Sequence, residues 1–184
     1  MNQYYLIAQL PSLDFLSDSA PLPITEERFY ELCNRFLGKK AFEELSKLSL
    51  MPSRKPSKSS SALIRAWNDG ERSLRLNLAK VRAEKLKKSF DEDIDEDDRL
   101  MQVAKTAVSY TDPLEAEKYL NGYRMGFLES LKPADNFSED SLYLYALKLK
   151  LLNRIRQFDE AKGEAAYNNI YDSIINGDRP EVIK

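Results

Sequence analysis

Histidine is absent from the 184 residues of this chain, and cysteine occurs once, as Cys33. Histidine is the commonest general base and metal ligand in proteins, so its absence removes the usual acid–base and metal chemistry. One cysteine cannot form an intrachain disulfide or a thiolate zinc site. Its place on an apolar stripe favours a small buried side chain over a reactive thiol. We therefore predict no catalytic, cofactor-binding or metal-binding residue, no small-molecule substrate and no enzymatic activity.

Glycine and long apolar runs are also scarce. Six glycines are few for an all-β protein, which needs many tight turns. No apolar run approaches the roughly 20 residues of a membrane-spanning helix. The N-terminus lacks the basic and apolar regions of a signal peptide, so a cytoplasmic location is expected. The net charge of −2 predicts no overall attraction to nucleic acid or anionic lipid.

The residues that are abundant favour helices. Leucine, lysine, glutamate, alanine and arginine dominate the chain, and all are strong helix formers. Apolar residues recur three or four positions apart, which predicts an all-α fold with a small N-terminal helical hairpin and an antiparallel bundle of long helices. The predicted helices cover 25–38, 40–49, 61–90, 95–109, 113–131 and 138–176. Residues 3–10 are compatible with a short helix or a buried extended segment.

Helix ends and breaks are suggested by single residues. Thr25, Ser60 or Ser61, and Asp112 are expected N-caps, and Gly38 is the expected cap at the end of the first clear helix. Gly70 is the expected kink in helix 61–90. Beyond Gly163 the apolar stripe resumes in compatible phase at Ala166, Ile170 and Ile174. One bent helix over 138–176 is therefore favoured over two.

The chain divides into three parts by composition. Residues 1–51 form the predicted N-terminal helical hairpin region. Residues 52–61, rich in proline, serine and lysine, read as a linker. Residues 62–184 form the long-helix bundle, and the whole is expected to be one compact unit.

Two acidic patterns bear on possible chemistry. Asp91, Asp93 and Asp95 begin like a calcium loop, but Glu96 and Gln102 stand where an EF-hand needs glycine and glutamate. Solvated charge at a helix start is the favoured interpretation of this run, and an acidic docking patch and a cation site are the alternatives. An enzyme using carboxylates such as those of Glu115 and Glu117 is a further hypothesis, which a concave pocket beside them would support.

Positive charge is concentrated in residues 52–90, which hold eleven lysines and arginines against three acids. This segment is either a surface for RNA, anionic lipid or an acidic protein, or the polar face of an amphipathic helix. Only Trp67 is interleaved with the basic residues, so a stacking platform for bases is not indicated. Trp67 itself fits the core of the bundle, or alternatively an exposed anchor for a partner.

Five blocks spread over the chain carry a family resemblance. They are YYLIAQLPSL at 4–13, PLPITEERFYELC at 21–33, W-x3-E-x2-LR-x2-LAKVRAEKL at 67–86, DPLEAEKYLNGYRMGFLESL at 112–131, and LYLYALKLKLLNRIRQFDEAKG at 142–163. Their order and spacing resemble a bacterial family of uncharacterised proteins that accompany the subunits of V-type ATP synthases. That family in turn resembles a reduced form of the C-type subunit (the d-type subunit in eukaryotes), a helical socket between the central stalk and the rotor ring.

The resemblance implies a non-catalytic accessory or central-stalk protein of a V-type ATP synthase, acting through protein–protein contacts. The implied partners are proteins of the central stalk or rotor ring, which would hold the chain peripherally at the inner face of the cell membrane through protein partners only. The residues expected to contact an acidic partner are Arg65, Arg72, Arg75 and Arg82, with Trp67 and Glu71 shaping their helix. The alternative is a nucleic-acid-binding helical module using residues 52–90.

Overall fold

The computed structural model describes residues 3–14, 21–53, 58–92, 97–157 and 160–175. All regular structure in these ranges is α-helical, which confirms the predicted fold class. The helices are α1 (Gln3–Gln9), α2 (Glu26–Phe36), α3 (Lys39–Ser46), α4 (Ala62–Lys85), α5 (Asp98–Ser109), α6 (Pro113–Ser130), α7 (Glu139–Gln157) and α8 (Glu160–Ile175).

Helix α7 is the hub of the fold. Helices α1, α2, α3, α4 and α6 all pack against it, while α5 packs between α4 and α6. Seven of its residues are buried: Leu142, Tyr143, Leu144, Ala146, Leu147, Leu149 and Leu151. Because these residues point in several directions around the helix, α7 meets neighbours on more than one side. The N-terminal helices are therefore packed on the long-helix bundle through α7.

Two apolar clusters form the core. The larger joins α1, α2, α3 and the first half of α4 to α7 and the end of α6. The smaller joins the second half of α4 to α5 and the start of α6, and contains Leu74, Leu78, Val81, Leu100, Ala104, Ala107 and Leu120. Helices α4 and α6 run through both clusters, so they connect the two halves of the core.

The predicted N-caps are confirmed at atomic detail, whereas the helix predicted over 95–109 begins at Asp98. Thr25 Oγ1 accepts a hydrogen bond from the backbone N–H of Arg28 at 3.2 Å. Of the two candidate serines, Ser61 is the N-cap of α4. Asp112 caps α6, with proline in the first turn. The prediction for Gly38 is wrong: Leu37 caps α2, and Gly38 is the N-cap residue of α3 with φ of −66°.

Gly70 serves close packing. Helix α4 continues through it without interruption. A Cβ atom at this position would lie 2.5 Å from Cε1 and Cζ of Phe127 on α6. Such a contact is too short for carbon atoms, so the absence of a side chain leaves room for the Phe127 ring against α4. This contact gives the glycine a packing role that the sequence did not indicate, and the expected kink stays a prediction.

Helices α7 and α8 cover most of the segment predicted as one bent helix. The junction at 158–159 lies outside the described residues, as do linker positions 54–57 and acidic positions 93–96. Residues 3–9 are helical, so the helical alternative for the N-terminus is confirmed. Among the described helices, none is both long and apolar enough to cross a membrane.

Candidate protein-binding face

Helix α4 carries all six residues predicted to bind or shape a partner surface. Its 24 residues span about 36 Å at 1.5 Å per residue. Ser61 fixes its start, because its Oγ accepts from the N–H of Ile64 at 3.1 Å and donates to Asp140 Oδ1 at 2.7 Å. Asp140 lies in the first turn of α7, so the cap also joins the starts of α4 and α7.

Trp67 belongs to the core. Its side chain is fully buried, and its ring stacks on Phe127 with centroids 6.1 Å apart. The indole Nε1–H donates to the carbonyl oxygen of Ser49 at 3.2 Å, which satisfies its one polar group. The core interpretation of Trp67 is therefore confirmed, and the residue shapes α4 from inside.

Arg65 and Arg72 hold the loop that precedes α4. Arg65 is exposed, and its Nη1 donates to the carbonyl oxygens of Ser59 at 2.6 Å and Ser60 at 2.9 Å. Arg72 pairs with Asp69 Oδ1 at 2.7 Å and donates to the carbonyl of Ser53 at 3.2 Å. Arg72 thus binds the segment before 54–57, and Arg65 binds the segment after it.

Glu71 is the centre of a buried ion-pair cluster. It is 2% exposed, and Arg124 on α6 is 5% exposed. The Arg124 guanidinium donates from Nε to Oε2 at 3.0 Å and from Nη2 to Oε1 at 3.1 Å. Arg75 donates from Nε to Glu71 Oε1 at 2.8 Å. Two guanidinium groups therefore neutralise one carboxylate that is shielded from water.

The cluster continues to α7. Arg124 Nη1 donates to Asn121 Oδ1 at 3.1 Å and lies 3.4 Å from Glu117 Oε1. The same Glu117 oxygen accepts from Nη2 of Arg154 at 2.5 Å. The connected groups include three arginines and two glutamates, so the cluster carries one net positive charge. Its two partly exposed ends are Arg75 and Arg154.

This polar cluster separates the two apolar clusters of the core. On α4, Glu71 lies between Trp67 of the larger cluster and Leu74 of the smaller one. On α6, Arg124 lies between Leu128 of the larger cluster and Leu120 of the smaller one. The ion pair therefore fixes the relative register of α4 and α6, because sliding either helix by one turn would bury an unpaired charge.

The last part of α4 and the turn after it form a basic end. Its exposed basic residues are Arg82, Lys85, Lys87 and Lys88. Lys85 Nζ donates to the carbonyl oxygen of Val108, and Arg82 forms no ion pair within the described part of the chain. Lys87 adopts a φ of 53°, the left-handed conformation that ends many helices. We name these four residues the basic end of α4.

A cavity of about 410 Å³ lies beside the loop between α3 and α4. Its cationic lining residues are Lys47, Lys58 and Arg72, and its one acid is Glu44. Burial acts to raise the pKa of Glu44, but hydrogen bonds from Ser60 and Ser59 and the charge of Lys40 lower it. The carboxylate is therefore stabilised as an anion that anchors the loop, and the cavity keeps a positive lining.

The residues of the carboxylate hypothesis are engaged elsewhere. Glu117 is paired with Arg124 and Arg154, and Glu115 pairs with Lys118 at 2.8 Å. No group of three or more acidic, cysteine or histidine residues that could hold a metal occurs in the described ranges. Asp93 and Asp95 of the calcium-like run fall outside those ranges. Burial raises the pKa of the Cys33 thiol to about 12, so this side chain is a thiol at neutral pH.

Sequence reasoning missed the Glu71–Arg124 pair as a feature of the core, although a signal for it was present. Leu120, Arg124 and Leu128 are spaced four residues apart, so an arginine falls within an apolar stripe. Trp67, Glu71 and Leu74 place a glutamate in the same way on α4. Opposite charges within two stripes that pack on each other indicate a buried pair, but the pairing of the stripes is known only from the fold.

Comparison with known proteins finds similarity to one protein family over part of the chain. A sequence model of that family, described as Protein of unknown function (DUF2764), matches residues 99–178. This segment includes nearly all of α5 and the whole of α6, α7 and α8, together with Arg124 and Arg154 of the ion-pair cluster. The chain is thus similar to that family over its C-terminal part. No curated protein matches the chain. No solved structure matches it either.

Proposed function

We propose that this chain is a non-catalytic accessory or central-stalk protein of a V-type ATP synthase, similar to the C-type subunit. It acts by contacting other subunits at the cytoplasmic side, with the basic end of α4 against an acidic surface. The exposure of Arg82, Lys85, Lys87 and Lys88 is the observation that carries this proposal. The order and spacing of the five sequence blocks are the reason for proposing a V-type ATP synthase as the assembly.

The electrostatic pattern supports an acidic protein partner. The chain is slightly acidic as a whole, so its positive potential is local. The ion-pair cluster adds a surplus positive charge, with Arg75 partly exposed on the same helix. A local basic patch on a rigid helix steers an acidic partner to one site and fixes its orientation. Arg65 and Arg72 contribute indirectly, by holding the loop beside the helix.

The alternative function is binding of nucleic acid by residues 52–90. Arg72 and Arg75 form ion pairs within the fold, and Trp67 is buried, so these residues do not form an extended stacking and phosphate-binding surface. Binding to the phosphate backbone would weaken steeply with salt whatever the base sequence. The binding experiment described next therefore also measures binding to DNA and RNA.

The test measures binding of the purified full-length chain to each purified protein of the stalk and rotor, and to duplex DNA and single-stranded RNA. In one variant, Arg82→Glu and Lys85→Glu reverse two charges of the basic end. In the control, Lys105→Glu changes an exposed lysine on α5. We expect one ATP synthase protein to bind, the double variant to weaken binding at least about tenfold, and the control to change it less than about twofold.

Two results would reject the proposal. In the first, no ATP synthase protein binds at any salt concentration. In the second, one of them binds but the charge reversals and the control behave alike, which would place the contact away from α4. Retention of DNA or RNA that is lost in the double variant, without binding to an ATP synthase protein, would support the nucleic-acid alternative instead.

A further inference from the structure

Helix α8 has an apolar face that nothing covers within the described part of the chain. Five large apolar side chains on it are between 51% and 72% exposed: Tyr167, Ile170, Tyr171, Ile174 and Ile175. All its described side chains except Ser173 are exposed. The rings of Tyr167 and Tyr171 stack with centroids 6.1 Å apart, which gives the face a defined shape.

A helix with this sequence needs a packing partner. Isolated helices shorter than about 12–15 residues are marginal in water even when they are rich in alanine, and most helices in proteins are stabilised by packing of an apolar face. The 16 residues of α8 include Gly163, Asn168 and Asn169, which are weak helix formers, and the β-branched Ile170 and Ile174. Its stability must therefore come from burial of the apolar face.

We propose that α8 pairs antiparallel with α8 of a second copy of this chain, about a two-fold axis between residues 168 and 169. Gly163, Tyr167, Ile170 and Ile174 follow a spacing of four, three and four residues, which is the seam of a two-helix coiled coil. Such pairing buries the same face of both chains, as a closed two-fold interface requires.

The side chains of the seam differ in size from one end of α8 to the other. In an antiparallel pair this difference makes the seam complementary to itself. In the proposed register Gly163 of one chain lies opposite Ile174 of the second copy, and Tyr167 lies opposite Ile170. The smallest seam residue at one end thus faces a large one at the other end. A Cβ atom added at Gly163 would meet nothing within 4 Å in the single chain, so the free space there is available to a partner side chain.

The edges of the seam are compatible with the same register. Glu164 and Tyr171 lie on one edge of the seam, where Tyr171 of one chain is offset from Glu164 of the other by two residues, about 3 Å along the axis. The two Glu164 residues are about 13 Å apart along the axis at 1.5 Å per residue. This separation exceeds the Debye length of about 8 Å at physiological salt, so their repulsion is screened.

The available area agrees with a weak dimer. At about 200 Å² for each large side chain, the four exposed residues of the seam and its edge (Tyr167, Ile170, Tyr171 and Ile174) present roughly 500 Å² per chain. The pair would bury up to about 1,000 Å², the size of a weak or transient specific interface. We therefore expect dissociation constants in the range of about 1–100 µM.

Sedimentation velocity of the full-length chain over a range of concentrations tests the dimer. Ile170→Glu places a charge at the centre of the seam, and Ala165→Glu places the same charge on the opposite face of α8. Both positions are exposed, so neither change disturbs the folded core. We expect a monomer–dimer equilibrium in the wild type and in Ala165→Glu, and dimerisation weakened at least about tenfold in Ile170→Glu. A wild type that stays monomeric up to about 100 µM, or a dimer that survives Ile170→Glu, would overturn the proposal.

Cross-linking tests the direction of the pair. Gly163→Cys chains are mixed with Ile174→Cys chains and oxidised. The buried native thiol of Cys33 does not compete. Antiparallel pairing predicts a mixed disulfide, whereas each variant alone would cross-link poorly, because its two cysteines are about 16 Å apart along the axis. If each variant cross-linked on its own and the mixture gave no mixed disulfide, the helices would be parallel. That result would overturn the antiparallel arrangement.

Discussion

Helices α7 and α8 follow one another in the chain, are similar in length, and both carry apolar residues three or four positions apart. Their surroundings are opposite. Seven residues of α7 are buried by five neighbouring helices. The apolar face of α8, from Tyr167 to Ile175, is exposed. Periodicity therefore predicts where an apolar face lies, but what covers that face depends on the rest of the fold or on another molecule.

Polar contacts sharpen the difference between the two helices. Lys150 of α7 pairs with Glu26 of α2 at 2.9 Å, and Arg154 pairs with Glu117 of α6. Asn153 Nδ2 also donates to Glu26 at 2.6 Å. These contacts fix the rotation of α7 as well as its position. The described residues of α8 make no comparable contact with the bundle, so no such contact fixes the rotation of α8.

The largest expected effect comes from breaking the ion-pair cluster that ends at α7. Glu71→Ala leaves the buried Arg124 guanidinium without its bidentate acceptor, so we expect a loss of about 3–5 kcal/mol in the free energy of unfolding. Asp69→Ala, which removes an exposed partner of Arg72, should cost less than about 1 kcal/mol. Urea denaturation of both variants provides the comparison.

A double variant tests the physical reason for that loss. Glu71→Leu combined with Arg124→Met removes both charges and keeps side-chain volume, so it should recover most of the stability lost in Glu71→Ala. Equal unfolding free energies for Glu71→Ala and Asp69→Ala would contradict the role given to the buried pair.

The second-largest effect is the difference in stability loss between an alanine substitution on α7 and one on α8. Leu149→Ala on α7 deletes a fully buried side chain and should cost about 2–5 kcal/mol through lost burial and a cavity. Ile174→Ala on α8 removes a side chain that is 72% exposed. At protein concentrations below dimerisation it should change stability by less than about 0.5 kcal/mol. Chemical denaturation at low concentration measures both, and a large loss for Ile174→Ala would mean that α8 packs on its own chain.

Much of the fold is predictable because the signals are local. Thr25, Ser61 and Asp112 cap helices by binding backbone N–H groups two or three residues away. Because both partners are close in the chain, such caps can be predicted from the sequence. The apolar stripes likewise indicate the positions of the long helices. The stripe of α4 also places Trp67 in the core.

The remaining features depend on residues far apart in the chain. Gly70 allows a close approach of Phe127, which lies on a different helix, so no local pattern distinguishes it from a kink. Glu71 and Arg124 become a buried pair only when α4 packs on α6. The exposure of α8 has the same origin, since its stripe looks like that of α7. Of the predicted partner-binding arginines, Arg65 and Arg82 are exposed, whereas Arg72 and Arg75 are engaged by acids whose proximity the fold determines.

The smallest expected effect concerns Tyr143 of α7 at alkaline pH. Its hydroxyl donates to the carbonyl of Ala41 at 3.3 Å, and burial raises its pKa, with the charges of Glu139, Glu44 and Asp140 acting in the same direction. Above pH 10 the unfolded chain loses this proton while the folded chain keeps it. The unfolding free energy should therefore fall by up to about 1.4 kcal/mol per pH unit from this group.

Tyr143→Phe isolates that contribution, because other groups on α7 act with the same sign. The pKa values of Tyr145 and Lys150 are also raised: Tyr145 mainly by burial, and Lys150 by its hydrogen bond to Glu26 despite the opposing effect of burial. We expect the variant to lose roughly 1 kcal/mol at pH 7 with the hydrogen bond, and then to decline less steeply than the wild type between pH 10 and about 11.5. Leu144→Ala, a buried neighbour without a titrating group, should keep the wild-type slope. Parallel slopes for all three proteins, measured by urea denaturation, would show that the Tyr143 hydroxyl ionises in the fold as it does in the unfolded chain.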